Sequence, residues 1–202
     1  LGFEDERDHI VARLRPAIGG EETCEAAFIA GCDGAHSIVR RAIGADFPGG
    51  TYDKIFYVAD VAASGKAANG QVHIALDEAD FVAWLAYDDE GRGRLIGVVE
   101  DEADDASDSE AGRKGLTFAD VGHRAMTGIG LEIASVNWFA TYHVHHRVTD
   151  RYRRGRAFLV GDAAHIHSPA GGQGMNTGIG DAINLAWKLA AVLQSGASDR
   201  LL

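Results

Sequence analysis

Residues 161–190 have the sequence GDAAHIHSPAGGQGMNTGIGDAINLAWKLA, which combines many glycines and alanines with few charges. The stretch follows a short apolar run, AFLV at 157–160, that predicts a buried strand. It leads into a predicted helix over about 176–194, whose apolar residues recur at steps of three and four. Because glycine has no Cβ, the backbone around Gly172 and Gly174 can approach a flat ligand closely. This order of strand, Gly-Asp, glycine-rich loop and helix favours a ligand site over a plain connection.

Asp162 is the polar residue that ends the predicted strand. A buried carboxylate without hydrogen-bond partners costs free energy, and the hydroxyl groups of a sugar alcohol would supply such partners. The start of the following helix presents free N–H groups and a partial positive charge, which favour an anion or an electron-rich carbonyl edge. Each feature taken alone is more often structural, as in a crossover with a capped helix. Their combination is what indicates a ligand.

A second segment, AAFIAGCDGAHSIVRRAIG at 26–44, predicts a strand, a tight turn and a short helix. Ser37 is placed to cap this helix and Gly44 to end it. Asp33 and Gly34 fall in the turn between the strand and the helix.

Both segments resemble the internal motifs of the flavoprotein aromatic hydroxylases, the FAD-dependent single-component monooxygenases similar to para-hydroxybenzoate hydroxylase and phenol hydroxylase. The stretch GRAFLVGDAAHIHSPAGGQGMNTGIGDAINLAWKLA resembles their second flavin-binding motif. Residues 28–44 resemble their Asp-Gly motif, which is associated with FAD and with the nicotinamide cofactor. The motifs stand in the family's order, with a strand-rich region between them.

The resemblance implies FAD as cofactor, NAD(P)H as co-substrate and a small aromatic, phenolic substrate that is hydroxylated with O2. Asp162 would hydrogen-bond the ribityl chain or the nearby phosphate region of FAD, and Arg40 would be available to a phosphate or to the nicotinamide nucleotide. The chemistry belongs to the cofactor, so no catalytic side chain is expected. The implied cofactor-binding residues are Asp33, Gly34, Arg40, Gly161, Asp162, Pro169, Gly172, Gly174, Met175 and Asn176.

The resemblance also implies an α+β fold, in which an antiparallel or mixed β-sheet substrate domain with helices is attached to the C-terminal part of a Rossmann-like FAD-binding domain. Residues 1–48 would carry the Asp-Gly motif as part of the FAD-binding domain. Residues 49–150 would form the sheet-rich substrate domain. Residues 151–202 would return to the FAD-binding domain with the Gly-Asp motif and the last helix.

The middle of the sequence contains four β-prone segments between residues 50 and 100, closed by Gly, Asn or Asp, which suggest an antiparallel sheet. Residues 117–130 predict a helix and residues 132–148 a strand. Before the Asp-Gly turn, the residues from Ala26 to Ala30 form one apolar run.

One part of the family pattern is missing. The family begins with a strand and a GxGxxG turn for the ADP half of FAD, and this sequence has no such unit, so we expect a fragment of a flavoenzyme. Two alternatives to hydroxylation remain open. One is a flavin-fold relative with other chemistry, such as a halogenase, epoxidase or dehydrogenase, and the other is a cofactor-free fragment without activity of its own.

Composition narrows the function classes. The formal net charge of −11 argues against nucleic acid, which selects basic surfaces. No apolar run approaches the roughly 20 residues of a membrane span, so no membrane partner is expected. Cys24 and Cys32 form no CxxC pair and indicate unpaired thiols in a reducing cytoplasm.

Four other features have less specific interpretations. His143 and His145 alternate on a predicted strand and could hold zinc, although packing is more common. The acidic stretch 100–110 lacks the calcium-loop pattern and predicts a solvated loop. Strand aromatics usually form core, although some of these could line an aromatic pocket: Phe81, Trp84, Trp138, Phe139 and Tyr142. A solvated turn is the default for the basic residues Arg151, Arg153, Arg154 and Arg156, with NAD(P)H phosphate as the lesser alternative.

Overall fold

The computed structural model describes residues 2–76, 81–99, 116–121, 124–168 and 172–202, with the backbone alone for 124 and 125. The chain divides into two compact units. The discontinuous unit comprises Leu1–Gly50 and His145–Leu202, and the inserted unit comprises Thr51–Val144. The assignment of residues 1–48, 49–150 and 151–202 to a cofactor domain and a substrate domain stays a prediction.

The N-terminal half of the discontinuous unit contains four short strands and one short helix. Strands β1 to β3 form an antiparallel meander in which Ile10 is fully buried. The predicted run from Ala26 to Ala30 is divided between two strands, because Ala27 and Phe28 lie between β3 and β4 and the two strands join different sheets. The elements are β1 (Gly2–Asp5), β2 (Ile10–Leu14), β3 (Glu22–Ala26), β4 (Ile29–Gly31) and α1 (Ile38–Ala42).

The inserted unit is an antiparallel sheet of the order β9-β5-β8-β7-β6, as the four β-prone segments and the later strand predict. Strands β5 and β9 extend across the unit boundaries into the discontinuous unit. The elements are β5 (Gly49–Gly65), β6 (Val72–Leu76), β7 (Phe81–Ala86), β8 (Arg92–Val98), α2 (Arg124–Gly128) and β9 (Leu131–Val148).

The predicted helix over 117–130 is wrong in part. Residues Phe118–Asp120 form a 3-10 turn, which the Asp120 carboxylate closes by accepting bonds from the Thr117 N–H at 2.6 Å and hydroxyl at 2.9 Å. Val121 then adopts an extended backbone and buries its side chain, so α2 begins only at Arg124. A capped turn and a buried valine therefore compete successfully with the helical periodicity.

The larger core of the inserted unit lies on one face of this sheet. Two glycines of β8 face large rings of neighbouring strands, because a Cβ on Gly93 would lie 2.5 Å from the Trp84 ring and one on Gly97 would lie 2.6 Å from the Tyr57 ring. Trp84 and Tyr57 are fully buried. The missing side chains of β8 thus make room for the two largest residues of this core.

The C-terminal half of the discontinuous unit contains three short strands and the long helix. Strand β11 pairs in parallel with β4 and antiparallel with β10, and β12 pairs with the end of β9. The last helix begins two residues earlier than predicted and ends at a left-handed Gly196. The elements are β10 (Arg153–Arg154), β11 (Ala157–Leu159), β12 (His165–Ile166) and α3 (Gly174–Ser195).

None of the residues of helix α3 is buried. Met175, Ile179, Ile183 and Trp187 recur every fourth residue and are each at least half exposed. The periodicity predicts the helix correctly, but this apolar row lies at the surface. No helix within the described residues is both long and apolar enough to span a membrane.

Candidate cofactor site

The parallel pairing of β4 with β11 brings the two sequence motifs together. The strands align residue by residue, and the Val160 N–H donates to the Gly31 carbonyl oxygen at 3.0 Å. Because parallel strands end at the same edge of a sheet, the turns that carry Asp33 and Asp162 leave from one edge. Ligands of open α/β folds bind at this edge.

The turn after β11 directs the Asp162 carboxylate outward. Gly161 has a φ of 59°, in the left-handed region that favours glycine, and the 3-10 turn Gly161–Ala163 follows. The Ala164 N–H closes this turn by donating to the Gly161 carbonyl oxygen at 2.7 Å. Gly161 and Ala163 are buried, whereas Asp162 is exposed. Within the part of the chain that the structure describes, no group donates a hydrogen bond to this carboxylate.

Helix α3 approaches the turn through two glycines. A Cβ on Gly178 would lie 3.3 Å from the Gly161 Cα, and a Cβ on Gly161 would lie 3.5 Å from the Gly178 Cα. The first turn of the helix therefore stays next to the Gly-Asp turn with no side chain between the two backbones. A larger residue at Gly178 would crowd the Gly161 backbone, whereas at Gly161 the positive φ disfavours any larger residue although a Cβ would fit in ordinary contact.

We expect alanine at Gly178 and at Gly180 to have opposite effects. Nothing lies within 4 Å of a Cβ on Gly180, so Gly180→Ala should raise the free energy of unfolding by about 0.5–1 kcal/mol through helix propensity. Gly178→Ala should lose that gain and lower the free energy of unfolding by about 1 kcal/mol, because the methyl group crowds Gly161. Urea unfolding of the two variants measures the difference, and equal stabilisation would contradict a close helix-to-turn contact.

Asp33 caps helix α1. Its Oδ2 accepts the N–H groups of Ile38 at 2.7 Å and Val39 at 3.2 Å. Partial desolvation acts to raise the pKa of Asp33, but hydrogen bonds from the Ser37 hydroxyl and from these N–H groups outweigh it and hold the pKa below its ordinary value. The carboxylate is therefore ionised at neutral pH. Ser37 caps the same helix as the sequence predicts, by accepting the Arg40 N–H at 2.9 Å.

Arg40 is already engaged within the chain, although the resemblance implies that its side chain is available to a phosphate. The residue is 7% exposed, and its guanidinium lies 3.8 Å from the centre of the Phe47 ring. Nη1 donates to the Ala163 carbonyl oxygen at 2.8 Å and Nη2 to the Ala35 carbonyl oxygen at 2.6 Å. Arg40 thus connects the Asp-Gly segment to the Gly-Asp turn. Its long, forked side chain can donate to both carbonyl oxygens at once.

Of the glycine-rich loop before α3, the structure describes Gly172 and Gln173. Gly172 has a φ of 61°, and no atom of the described residues lies within 4 Å of the position of its Cβ. Gln173 makes no side-chain capping bond to the start of α3. Met175 and Asn176 of the first turn are exposed, and Gly34 has a φ of 75° with open space beside it. Pro169 lies outside the described residues.

Asp181 and His165 are two residues of this region that the sequence analysis did not single out for the site. The Asp181 Oδ2 lies 2.6 Å from the His165 Nε2 and accepts the Gly161 N–H at 3.1 Å. His165 is 8% exposed. Asp181 stands on the helical face that also carries Gly178, and that spacing of three residues is the signal in the sequence that could have identified it.

The basic patch and the other singled-out residues have structural partners or lie outside the site. Phe81 and Trp84 are buried in the cores of the inserted unit, whereas Trp138 is half exposed. The described residues contain no cluster of three His, Cys, Asp or Glu side chains that could hold a metal, and the acidic stretch 100–110 lies outside them. The arginine partners are Asp150 for Arg151, Asp199 for Arg153, the Ile43 carbonyl for Arg154 and the Ala27 carbonyl for Arg156.

Comparison with known proteins identifies the family. A family model described as an FAD binding domain matches residues 1–202, the whole chain. The chain belongs to this FAD-binding domain family. FAD is therefore the cofactor that the site has to fit. The exposed Asp162 carboxylate can accept hydrogen bonds from the hydroxyl-bearing chain of FAD, and backbone without side chains suits its flat ring.

Three relatives illustrate how far the similarity extends. The chain is 33% identical to a flavin-dependent monooxygenase of Mycobacteroides abscessus, over 100% of this chain and 42% of that protein. It is 33% identical to a 3-hydroxybenzoate 4-monooxygenase of Comamonas testosteroni, over 91% of this chain and 31% of that protein. The structure of p-nitrophenol 4-monooxygenase PnpA from Pseudomonas putida superposes with a TM-score of 0.69 and 28% identity, over 99% of this chain and 49% of that one. The chain thus spans less than half the length of these relatives, and it shares their α+β fold.

Proposed function

We propose that the chain is part of an FAD-dependent monooxygenase that hydroxylates a small aromatic, phenolic substrate with NAD(P)H and O2. The observation that carries the proposal is the outward Asp162 carboxylate, which lies in the 3-10 turn after the buried strand β11, beside the contact between Gly161 and Gly178 of α3. The substrate class is supported by relatives that act on 3-hydroxybenzoate and p-nitrophenol.

The proposed contacts of FAD follow from the groups that the discontinuous unit leaves open. The Asp162 carboxylate accepts hydrogen bonds from ribityl or neighbouring hydroxyl groups, and it is preorganised because the residues on both sides of it are buried. Arg40 acts on the site through the Ala163 carbonyl rather than by direct contact. The residues proposed to contact the cofactor are Asp33, Gly34, Gly161, Asp162, Pro169, Gly172, Gly174, Met175 and Asn176.

The start of α3 contributes electrostatically. FAD supplies the redox and oxygen chemistry when bound, so the task of the chain is to bind, orient and exclude water. The N–H groups of Gly174, Met175 and Asn176, which the Gln173 side chain does not cap, carry the positive end of a 22-residue helix. Groups of this kind stabilise an oxygen on which negative charge develops, and they need no side-chain movement to do so.

We propose that the inserted unit contributes side chains that bind the substrate. It carries Trp138, half exposed, and Tyr142, whose partial burial raises its pKa above the ordinary value. Aromatic side chains of this kind are suitable walls for an aromatic ring. The two exposed free cysteines, Cys24 and Cys32, fit a reducing compartment, and we propose the cytoplasm.

Removing the Asp162 carboxylate tests the cofactor site. In the protein expressed from its complete reading frame, Asp162→Ala should weaken FAD binding about 10- to 100-fold, the equivalent of one or two hydrogen bonds to a charged group. Titration of the apoprotein with FAD, followed by flavin fluorescence, measures the dissociation constant. The matched control is Asp53→Ala, which removes an exposed carboxylate from β5 in the inserted unit and should leave FAD affinity unchanged.

The reaction class needs a second measurement on the unmodified protein. NAD(P)H should bleach the flavin absorbance, and a phenol should stimulate O2 uptake and appear as hydroxylated product. Flavin reduction without a hydroxylated product would reject the hydroxylase and leave another flavin chemistry. A protein that binds no FAD would reject the whole proposal.

A further inference from the structure

Asp181 holds both ends of the turn that presents Asp162. Its Oδ2 accepts the Gly161 N–H at 3.1 Å, immediately before Asp162, and lies 2.6 Å from the Nε2 of His165, three residues after Asp162. A single carboxylate oxygen on α3 therefore joins the two sides of the turn. The sequence motifs assign no role to it.

The Gly161 N–H has a strong need for this partner. Gly161 is buried two residues after β11 with a left-handed backbone, and no backbone carbonyl of the described residues accepts its N–H. An unpaired buried N–H destabilises the fold, and hydrogen bonds to a charged acceptor are stronger than neutral ones. Asp181 therefore secures the backbone conformation that turns Asp162 outward.

His165 secures the other side of the turn. Its ring is buried, stacks on His167 with centroids 6.0 Å apart and an interplanar angle of 7°, and lies 6.4 Å from the Tyr152 ring. Burial and the negative charge of Asp181 raise the pKa of Tyr152, so that the tyrosine stays neutral. With Nε2 protonated, the imidazole donates to the carboxylate, which fixes the residue after the turn to the same oxygen as the residue before it.

We propose that Asp181 is a positioning residue for the cofactor site, acting on FAD through the Gly161 N–H and His165 by holding the Asp162 carboxylate toward the ribityl hydroxyls. This inference rests on the proposed function. Asp181 itself makes no contact with the cofactor. Its contribution is the orientation of a carboxylate that belongs to another residue.

Hydrogen exchange tests the first half of the proposal without any cofactor. In the apoprotein from the complete reading frame, Asp181→Ala should raise the exchange rate of the Gly161 amide about 10- to 100-fold, because the amide loses its acceptor. Asn184→Ala, an exposed position one turn further along α3, is the matched control and should leave that rate unchanged. Unchanged exchange in Asp181→Ala would overturn the proposal.

A double-variant cycle on FAD affinity tests the second half. Asp181→Ala should weaken FAD binding about tenfold in the unmodified background and have almost no effect when Asp162 is already alanine, because the two residues act in series. Equal losses in both backgrounds would indicate a general structural role and overturn the proposal. If Asp181→Ala does not fold, Asp181→Asn serves in the same cycle, since its carbonyl oxygen retains one acceptor and should give a smaller but equally non-additive loss.

The two proposals fail in different ways. If the unmodified protein binds no FAD, the proposed function fails and the exchange experiment still reports on the turn. If it binds FAD and Asp181→Ala binds FAD equally well, the proposed function stands and the positioning role fails.

Discussion

Replacing Arg40 with methionine should lower the free energy of unfolding of the discontinuous unit by about 3–4 kcal/mol, the largest effect that we expect from a single side chain outside the glycines. Methionine retains the apolar stem over Phe47 but removes both donors. The Ala163 and Ala35 carbonyl oxygens, at 2.8 and 2.6 Å from the guanidinium, then lose charged partners. The Gly-Asp turn should loosen together with helix α1, because Arg40 is their link.

The comparison with lysine distinguishes a structural bridge from a phosphate ligand. Arg40→Lys keeps the positive charge but cannot donate to both carbonyls in a fixed fork, so it should recover only part of the stability. Urea unfolding, followed by hydrogen exchange in peptides from each unit, gives the free energy of unfolding of the discontinuous unit and that of the inserted unit separately. If Arg40 instead served a nicotinamide phosphate, both variants would keep their stability and only the KM for NAD(P)H would rise.

Alanine at Gly97 should destabilise the inserted unit by about 3 kcal/mol, at the upper end of the range for overpacked cores. The new methyl group would lie 2.6 Å from the Tyr57 ring and 2.7 Å from the Phe81 carbonyl oxygen. A side chain can rotate away from such a contact, but the carbonyl belongs to the neighbouring strand β7 and cannot move without breaking the ladder. The sheet must therefore separate locally.

Gly128→Ala is the control for this substitution in the same unit. No atom of the described residues lies within 4 Å of a Cβ on Gly128, at the end of α2, so the change should be neutral or slightly stabilising. The measurement is again urea unfolding with exchange in peptides of the inserted unit. A Gly97→Ala protein as stable as the Gly128→Ala protein would show that β7 and β8 are not tightly packed at this point.

Local sequence signals predict most of the secondary structure. Three signals depend only on residues close in sequence, and each is found where the pattern places it. They are the Ser37 cap, the apolar run before Gly161 and the apolar residues that recur at steps of three and four in α3. The helix over 117–130 fails because the Thr117–Asp120 turn satisfies its own donors and acceptors. The periodicity of apolar residues does not take into account that such a turn competes with the helix for the same backbone.

Long-range partners are what the sequence does not reveal. Arg40 has the spacing and charge of a phosphate ligand, and nothing near it in the sequence indicates that the Ala163 carbonyl will engage it. The same is true of Asp181, whose interaction with Gly161 depends on how α3 crosses the end of β11. The family motifs predict where the site lies, whereas the hydrogen bonds between its segments depend on the packing of separate elements.

The parallel pair of β4 and β11 has a consequence for how the protein forms during synthesis. The whole of Thr51–Val144 lies between these two strands, so the ribosome releases β4 and α1 well before their partner exists. Closing so long a loop is entropically costly unless the intervening chain has already become compact. The inserted unit should therefore fold first. Its folding brings the end of the segment Leu1–Gly50 close to the start of the segment His145–Leu202, so that it assists the formation of the cofactor site.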